Sequence, residues 1–351
     1  MKLGIIGLPQ SGKTTLFNAA SGQQEAVGDY SQASHRAVIK VPDRRLDVLS
    51  EIHQPKKITY AEIEFLDAPG FTGKGKKGKS ELEIMHDLRL MDAVVIVIDA
   101  YSADAKPEQD LQALEDEMIL SDLMIIENNI DKLDRTIQLT GHRERARELE
   151  ILRRCQEALN DEKMLIGIGL TDDDKREIRG YSFLTLKPQL IVFNISEDKL
   201  PEYSSIYAGY EKYCQEGMRD ISVICGKIEM ELSALSDEDR AEFLKELNIE
   251  RPVVDKFIRK SFGLLGLITF FTIGPPEGRA WMLKKGSTAP KAAGTVHTDF
   301  ERGFIRAEVA SYEDYAEYKT LPALKAAAKL HVEGKNYVVH DGDVILFLFN
   351  V

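Results

Sequence analysis

Cysteine is scarce: there are three in 351 residues, at Cys155, Cys214 and Cys225. They are too few for a disulfide framework and too widely spaced for a metal-ligand motif, which excludes a stapled secreted module and leaves reduced thiols in the cytosol as the expectation. Long apolar runs are missing as well. The longest, near Leu264 to Gly274, falls short of the roughly 18–20 residues of a membrane span. Positive charge is in deficit: 46 Lys and Arg stand against 58 Asp and Glu, for a net charge of −12. That sign argues against general nucleic-acid coating, although a local basic face is compatible with it. Lys74, Lys76, Lys77 and Lys79 form one such cluster, and Lys284, Lys285 and Lys291 another. The start Met1-Lys2-Leu3 runs straight into an apolar strand and does not read as a signal peptide. What remains is an ordinary globular composition, long enough for two or three domains of about 100–200 residues each.

The stretch around which the chain is organised comes first. Lys2 to Ile6 reads as a short buried strand, followed by Gly7-Leu8-Pro9-Gln10-Ser11-Gly12-Lys13-Thr14 and an apparent helix from Thr15 to Ala20. This is the complete phosphate-loop pattern in its strand–loop–helix setting. Glycines let the backbone wrap an anion so that consecutive N–H groups face phosphate oxygens, and the helix adds the positive end of its dipole. Lys13 reaches the β- and γ-phosphates and the Thr14 hydroxyl ligates Mg²⁺. The cofactor-binding candidates here are therefore Gly7, Pro9, Gln10, Ser11, Gly12, Lys13, Thr14 and Thr15.

Further along, Ala61 to Leu66 alternates and then turns apolar, as a strand entering a sheet does. It ends in Asp67-Ala68-Pro69-Gly70. Asp67 is placed to hold Mg²⁺ with Thr14, and the Gly70 N–H to sense the γ-phosphate; Lys13, Asp67 and Gly70 are the catalytic candidates. Phe71 stands where Ras-like enzymes have a Gln that orients the attacking water, which a phenyl ring does not do. The Gly/Lys run from Thr72 to Ser80 reads as a solvated loop, and Gly22 to His35 offers Tyr30, Ser31 and Ser34 but no clear switch threonine.

Ala93 to Ala100 is a buried-strand run, and strands alternating with helices imply a mostly parallel sheet covered on both faces. From about Pro107 the character changes. Leu123, Ile126, Ile130, Leu133 and Ile137 recur at alternating spacings of three and four, and Leu149, Leu152, Cys155 and Leu159 follow after a break at Thr140-Gly141. The pattern is that of an antiparallel helical hairpin with a coiled-coil seam. The sheet resumes at Leu190 to Phe193. The base-reading loop follows as Asn194-Ile195-Ser196-Glu197, in place of the guanine-reading Asn-Lys-x-Asp, and Cys225-Gly226-Lys227 closes over the base edge. From Gly266 onward, short strands and helices read as a small α+β unit consistent with a ubiquitin-like grasp.

These pieces together resemble the YchF family of Obg-related phosphate-loop nucleotidases. The likeness is strongest in Gly294-Thr295-Val296-His297-Thr298-Asp299-Phe300-Glu301-Arg302-Gly303-Phe304-Ile305-Arg306-Ala307 and in Gly334-Lys335-Asn336-Tyr337-Val338-Val339-His340-Asp341-Gly342-Asp343-Val344. The resemblance implies a Ras-like domain (1–106 and 183–265) interrupted by a helical coiled-coil insertion (107–182) and followed by a β-grasp TGS domain (266–351). It also implies ATP accepted over GTP or beside it, through Asn194 and Glu197, and a hydrophobic residue at Phe71. The expected activity is slow Mg²⁺-dependent hydrolysis in a cytoplasmic, monomeric switch that meets the ribosome or RNA through the TGS domain and coiled coil. A nucleotide-binding scaffold with little hydrolysis, or a GTP-specific GTPase, are the alternatives. The chain departs from the family at Gln10-Ser11, in the segment Gly28 to Arg36, and between Ala100 and Asp110, where relatives carry a histidine implicated in hydrolysis. It is read as a divergent member.

Overall fold

The computed structural model describes residues 1–22, 35–69, 81–140, 145–215, 218–246 and 252–350. They fall into two compact units, one built from Met1–Ala37 and Glu64–Phe257, the other from Val38–Ile63 and Ile258–Val351. Gly70, Phe71, the Gly/Lys run and the polar loop before His35 lie outside the described residues. Among the described residues no helix is long and apolar enough to cross a membrane.

The chain runs through β1 (Lys2–Ile6), β2 (His35–Lys40), β3 (Ile58–Thr59), β4 (Glu62–Asp67), β5 (Ala93–Ala100), β6 (Gln189–Ile195) and β7 (Arg219–Ile224). Six of these form one sheet in the order β2-β4-β1-β5-β6-β7. The pairs β1/β4, β1/β5, β5/β6 and β6/β7 are all parallel. Parallel strands covered on both faces need apolar side chains on both, which is why β5 and β6 read as unbroken hydrophobic runs. Val94, Ile96 and Ile98 pack with Ile191, Phe193 and Ile195 on one face. Strand order reverses beside β1, and a ligand crevice belongs at the carboxyl ends of the strands at such a reversal.

The insertion is helical, as its period requires. The helices Pro107–Thr140 and Ala146–Asn160 bury Ile126, Ile130 and Leu133 against Leu149, Leu152, Cys155 and Leu159, with Leu123 and Ile137 at the flanks. Burial pushes the Cys155 thiol up to about 11, so this sulfur is packing and not a nucleophile.

One fully buried carboxylate ties the insertion to the nucleotide side. Asp122, with 0 % exposure, accepts from Leu184 N at 3.1 Å, Thr185 N at 2.8 Å, Thr185 Oγ1 at 2.7 Å and Arg89 Nη1 at 2.5 Å. Arg89 ends the helix Glu81–Arg89, the next described helix after Asp67, and its other nitrogen reaches Ser121 Oγ at 2.8 Å. A buried charge is tolerated only when paired and fully hydrogen-bonded, and here it is.

The second unit carries β8 (Leu267–Ile273), β9 (Gly278–Lys284), β10 (Phe304–Ala310), β11 (His331–Glu333) and β12 (Val344–Phe349) in the order β11-β10-β12-β8-β9-β3. The β12/β8 pair is parallel and β8/β9, β10/β12 and β10/β11 are antiparallel. The helix Ala289–Val296 buries the small residues Ala289, Ala292 and Ala293 in a core of Phe270, Phe304 and Phe347, with Val296 half-buried at its end. This is the expected grasp. Less expected is the membership of Val38–Ile63, which lies in the chain between nucleotide-binding elements. Strand β3 pairs with β9, and Arg45 joins Asp43 at 2.8 Å to Asp341 at 2.7 Å while its guanidinium lies 5.2 Å above the Phe271 ring.

Replacing Asp122 by Ala leaves Arg89 without its counter-charge and two buried N–H groups without their acceptor. Asp122→Ala is expected to lower unfolding free energy by about 3–5 kcal/mol, read from urea unfolding. A change below about 1 kcal/mol, the range of an exposed ion pair, would contradict this reading of the network.

Candidate functional site

The phosphate loop begins where β1 ends. A Cβ on Gly7 would lie 2.3 Å from the Val97 carbonyl oxygen, so the turn out of the strand admits no side chain. Gly12 has φ +92, and a Cβ there would lie 2.2 Å from Asn194 Nδ2. Both glycines of the motif are therefore required by close approach. The helix Lys13–Ser21 that follows has no side-chain cap and no acidic residue in its first turn. Its N-terminal N–H groups and dipole are left to an anion.

Lys13 is 7 % exposed and donates from Nζ to the carbonyls of Gly7 at 3.0 Å and Leu8 at 2.9 Å. Burial pushes its pKa down from 10.5 to about 8, and nearby Asp67 resists the shift. Asp67, 4 % exposed at the end of β4, accepts from Thr14 Oγ1 at 3.0 Å. Both proposed metal ligands thus meet. Among the described residues no group of three or more His, Cys, Asp and Glu side chains gathers as a metal cage. A hydroxyl and a carboxylate are nonetheless the hard oxygen donors that suit Mg²⁺, which keeps several waters and needs few protein ligands. Pro9 and Gln10 form an exposed lip, Gln10 with φ +68. Ser11 is buried beneath them, and Thr15 is half-buried one residue past Thr14.

The base loop also braces the phosphate loop. Asn194, 6 % exposed at the end of β6, donates from Nδ2 to the Ser11 carbonyl at 3.1 Å and accepts at Oδ1 from Gly226 N at 2.9 Å. Both ends of its amide hold backbone, so Asn194 is a strap between the phosphate loop and the next helix. The Gly226 N–H expected at the base edge is consumed by that strap. Ile195 is buried in the core, and Cys225 is buried at the start of the helix Gly226–Ala234, with burial raising its thiol pKa. The exposed pair that remains is Glu197 and Lys227, joined at 2.9 Å from Nζ to Oε2. A residue absent from the sequence reading joins the site: the Tyr101 hydroxyl donates to the Gln10 carbonyl. Asp-x-x-Ser after β5 signals a turn, but nothing local says what Tyr101 reaches. Gly70 lies outside the described residues.

Similarity to known proteins extends along the whole chain. A family model described as "50S ribosome-binding GTPase" matches residues 2–129. A second, YchF-GTPase_C, described as a protein of unknown function, matches residues 267–350. The chain is 37 % identical to a Haemophilus ducreyi protein named "Ribosome-binding ATPase YchF", over 100 % of this chain and 99 % of that one. A Bacillus subtilis protein of the same name is also 37 % identical, over 99 % of each. The solved YchF GTPase of Schizosaccharomyces pombe superposes with a TM-score of 0.84 at 26 % identity, covering 99 % of this chain and 97 % of that one.

The low pKa of Lys13 has a sign that can be checked. Below about pH 8 the ammonium is charged in both folded and unfolded chains and the cost of burying it is fully present. Between about 8 and 10.5 the unfolded chain binds the proton and the folded chain does not, so this group's contribution to stability rises with pH. Urea unfolding at several pH values across that window is expected to show a rise of order 3 kcal/mol in wild type relative to Lys13→Met. Parallel pH profiles for the two proteins would contradict it.

Proposed function

The chain belongs to the YchF family, and from that premise and the loop geometry we propose that it binds and slowly hydrolyses a nucleoside triphosphate, ATP ahead of GTP, as a switch acting at the ribosome. The observation that carries the reading is Lys13. A buried ammonium rests on two carbonyls of its own loop, contacts that an entering phosphate replaces with full negative charge. The names of the relatives, ribosome-binding ATPases, support the nucleotide and the partner.

In this reading backbone N–H groups of the loop between Gly7 and Thr14, to which Pro9 contributes none, cradle the β-phosphate, and Lys13 spans the β- and γ-oxygens. Thr14 and Asp67 would hold Mg²⁺, which would supply positive charge against the phosphate oxygens. Catalysis is positioning and electrostatics in a loop braced before the ligand arrives. Turnover is slow because Phe71 offers nothing to orient water. That same residue favours the second reading, a nucleotide-dependent binding module that hardly hydrolyses.

The preference for ATP rests on Glu197. One of its oxygens is engaged by Lys227. The other suffices for the single exocyclic amine of adenine, whereas guanine presents two adjacent N–H donors and asks for both oxygens. The coiled-coil insertion (107–182) and the TGS unit (266–351) are the parts we assign to the ribosome or its RNA. The protein acts as a monomer in the cytoplasm.

Equilibrium titration of ATP and GTP, each with Mg²⁺, tests this directly. ATP is expected to bind more tightly, and Lys13→Ala to weaken binding by about 30–1,000-fold. Ribosomes are expected to stimulate ATP turnover. Tighter GTP binding would overturn the base assignment, unchanged binding by Lys13→Ala the phosphate-loop assignment, and turnover indifferent to ribosomes would favour the second reading.

A further inference from the structure

We infer that Tyr101 is a positioning residue of the phosphate loop, holding the Gln10 peptide in the conformation that accepts the triphosphate; the inference rests on the proposed function and assigns a role to a residue outside the phosphate-loop motif. Topology brings the two together. Strands β1 and β5 pair in parallel, with Ile6 opposite Ile96. The segments after them leave the sheet side by side at the point where strand order reverses. One is the phosphate loop, the other the turn Asp99-Ala100-Tyr101-Ser102.

That turn is rigid before the tyrosine ring is considered. Asp99 Oδ1 accepts from Tyr101 N at 2.9 Å and Ser102 N at 3.0 Å, and Oδ2 accepts from Ser102 Oγ at 2.5 Å. From the other side Lys199 Nζ donates to the Ala100 carbonyl at 2.9 Å. Lys199 belongs to the short helical turn Glu197–Glu202, which also carries Glu197. The residue whose backbone is fixed in this way then donates its hydroxyl to the Gln10 carbonyl.

Gln10 is where the loop needs holding. Its φ of +68 is the left-handed region that residues other than glycine rarely adopt. The same peptide is held on its other side, since Ser11 N donates to the Leu8 carbonyl at 3.3 Å, and the next peptide is held by its Ser11 carbonyl, which accepts from Asn194. Three contacts from Leu8, Asn194 and Tyr101 therefore hold two consecutive residues. A carbonyl engaged by a phenol does not turn into the anion site, where its negative end would repel phosphate. Tyr101 is 39 % exposed, so it is not a core residue.

The test is a double-mutant cycle on the full chain, read by ATP affinity with Mg²⁺ and by steady-state turnover. Tyr101→Phe removes one oxygen and keeps the ring. It is expected to weaken ATP binding by about 3–10-fold, with the loss in Kd and KM more than in kcat, and to leave the thermal midpoint close to wild type. In a Gln10→Gly background the backbone adopts positive φ without strain, so the same substitution is expected to cost less than about 2-fold. Lys13→Ala serves as the control that loses binding. If wild type binds ATP and Tyr101→Phe binds it equally well, the inference falls while the proposed function stands. Equal penalties for Tyr101→Phe in wild type and in the Gln10→Gly background would also overturn it, since the hydroxyl would then act elsewhere. A wild-type protein that binds no nucleotide would remove the proposed function and the inference with it.

Discussion

The side-chain amide of Asn194 is the contact on which the nucleotide site depends. Its nitrogen holds the carbonyl of Ser11 and its oxygen holds the N–H of Gly226. Two loops and the end of a third strand meet on one planar group. A buried amide so used leaves neither of its own polar ends unpaired, nor those of the backbone it meets. It also explains Gly12 without appeal to the ligand: the space a Cβ would occupy is already taken by the Asn194 nitrogen. The parallel sheet serves this contact by delivering the carboxyl ends of β1, β6 and β7 to one edge.

Around that strap, the charged groups have uncharged partners. Lys13 rests on carbonyls of its own loop and Asp67 on the hydroxyl of Thr14. Both charges are almost wholly buried, and the depressed pKa of Lys13 is the measure of what that burial costs. The loop is thus pre-shaped and pre-charged, with internal partners that the polyanionic part of a nucleotide matches more strongly. The reorganisation left for the moment of binding is that of the Lys13 ammonium, which gives up two carbonyls.

Much of this was legible in the chain. The phosphate loop and Asp67 are written in local spacing, and the seam of the insertion in its period, so Ile126, Ile130 and Leu133 fell on the buried stripe as expected. Strands β8, β9, β10 and β12 of the second unit followed from apolar runs between turn residues, while the three-residue β11 did not. What escaped was non-local. Strand β3 is two residues long and owes its place to β9, while Arg45 owes its to Asp341 across most of the chain. The helix Tyr312–Tyr318 carries too few apolar residues to show a period. At the site, Asn194 and Gly226 were recognised as important, but which partner each would take was not. A side chain that bonds a distant backbone carbonyl leaves no mark in the letters around it, and Tyr101 is the clearest instance.

The strap also sets an order of events during synthesis. The phosphate loop is made well before the amide that ties it, which comes 183 positions after Ser11, with Gly226 later still. Over that stretch of translation the glycine-rich segment lacks this clamp and has only its nearer contacts to Leu8 and Tyr101. The pocket comes into being only when β6 and β7 dock beside β1 and β5. Since a ligand that binds only the finished form stabilises it by mass action, nucleotide capture acts as a seal on completed folding and not as a template for its beginning.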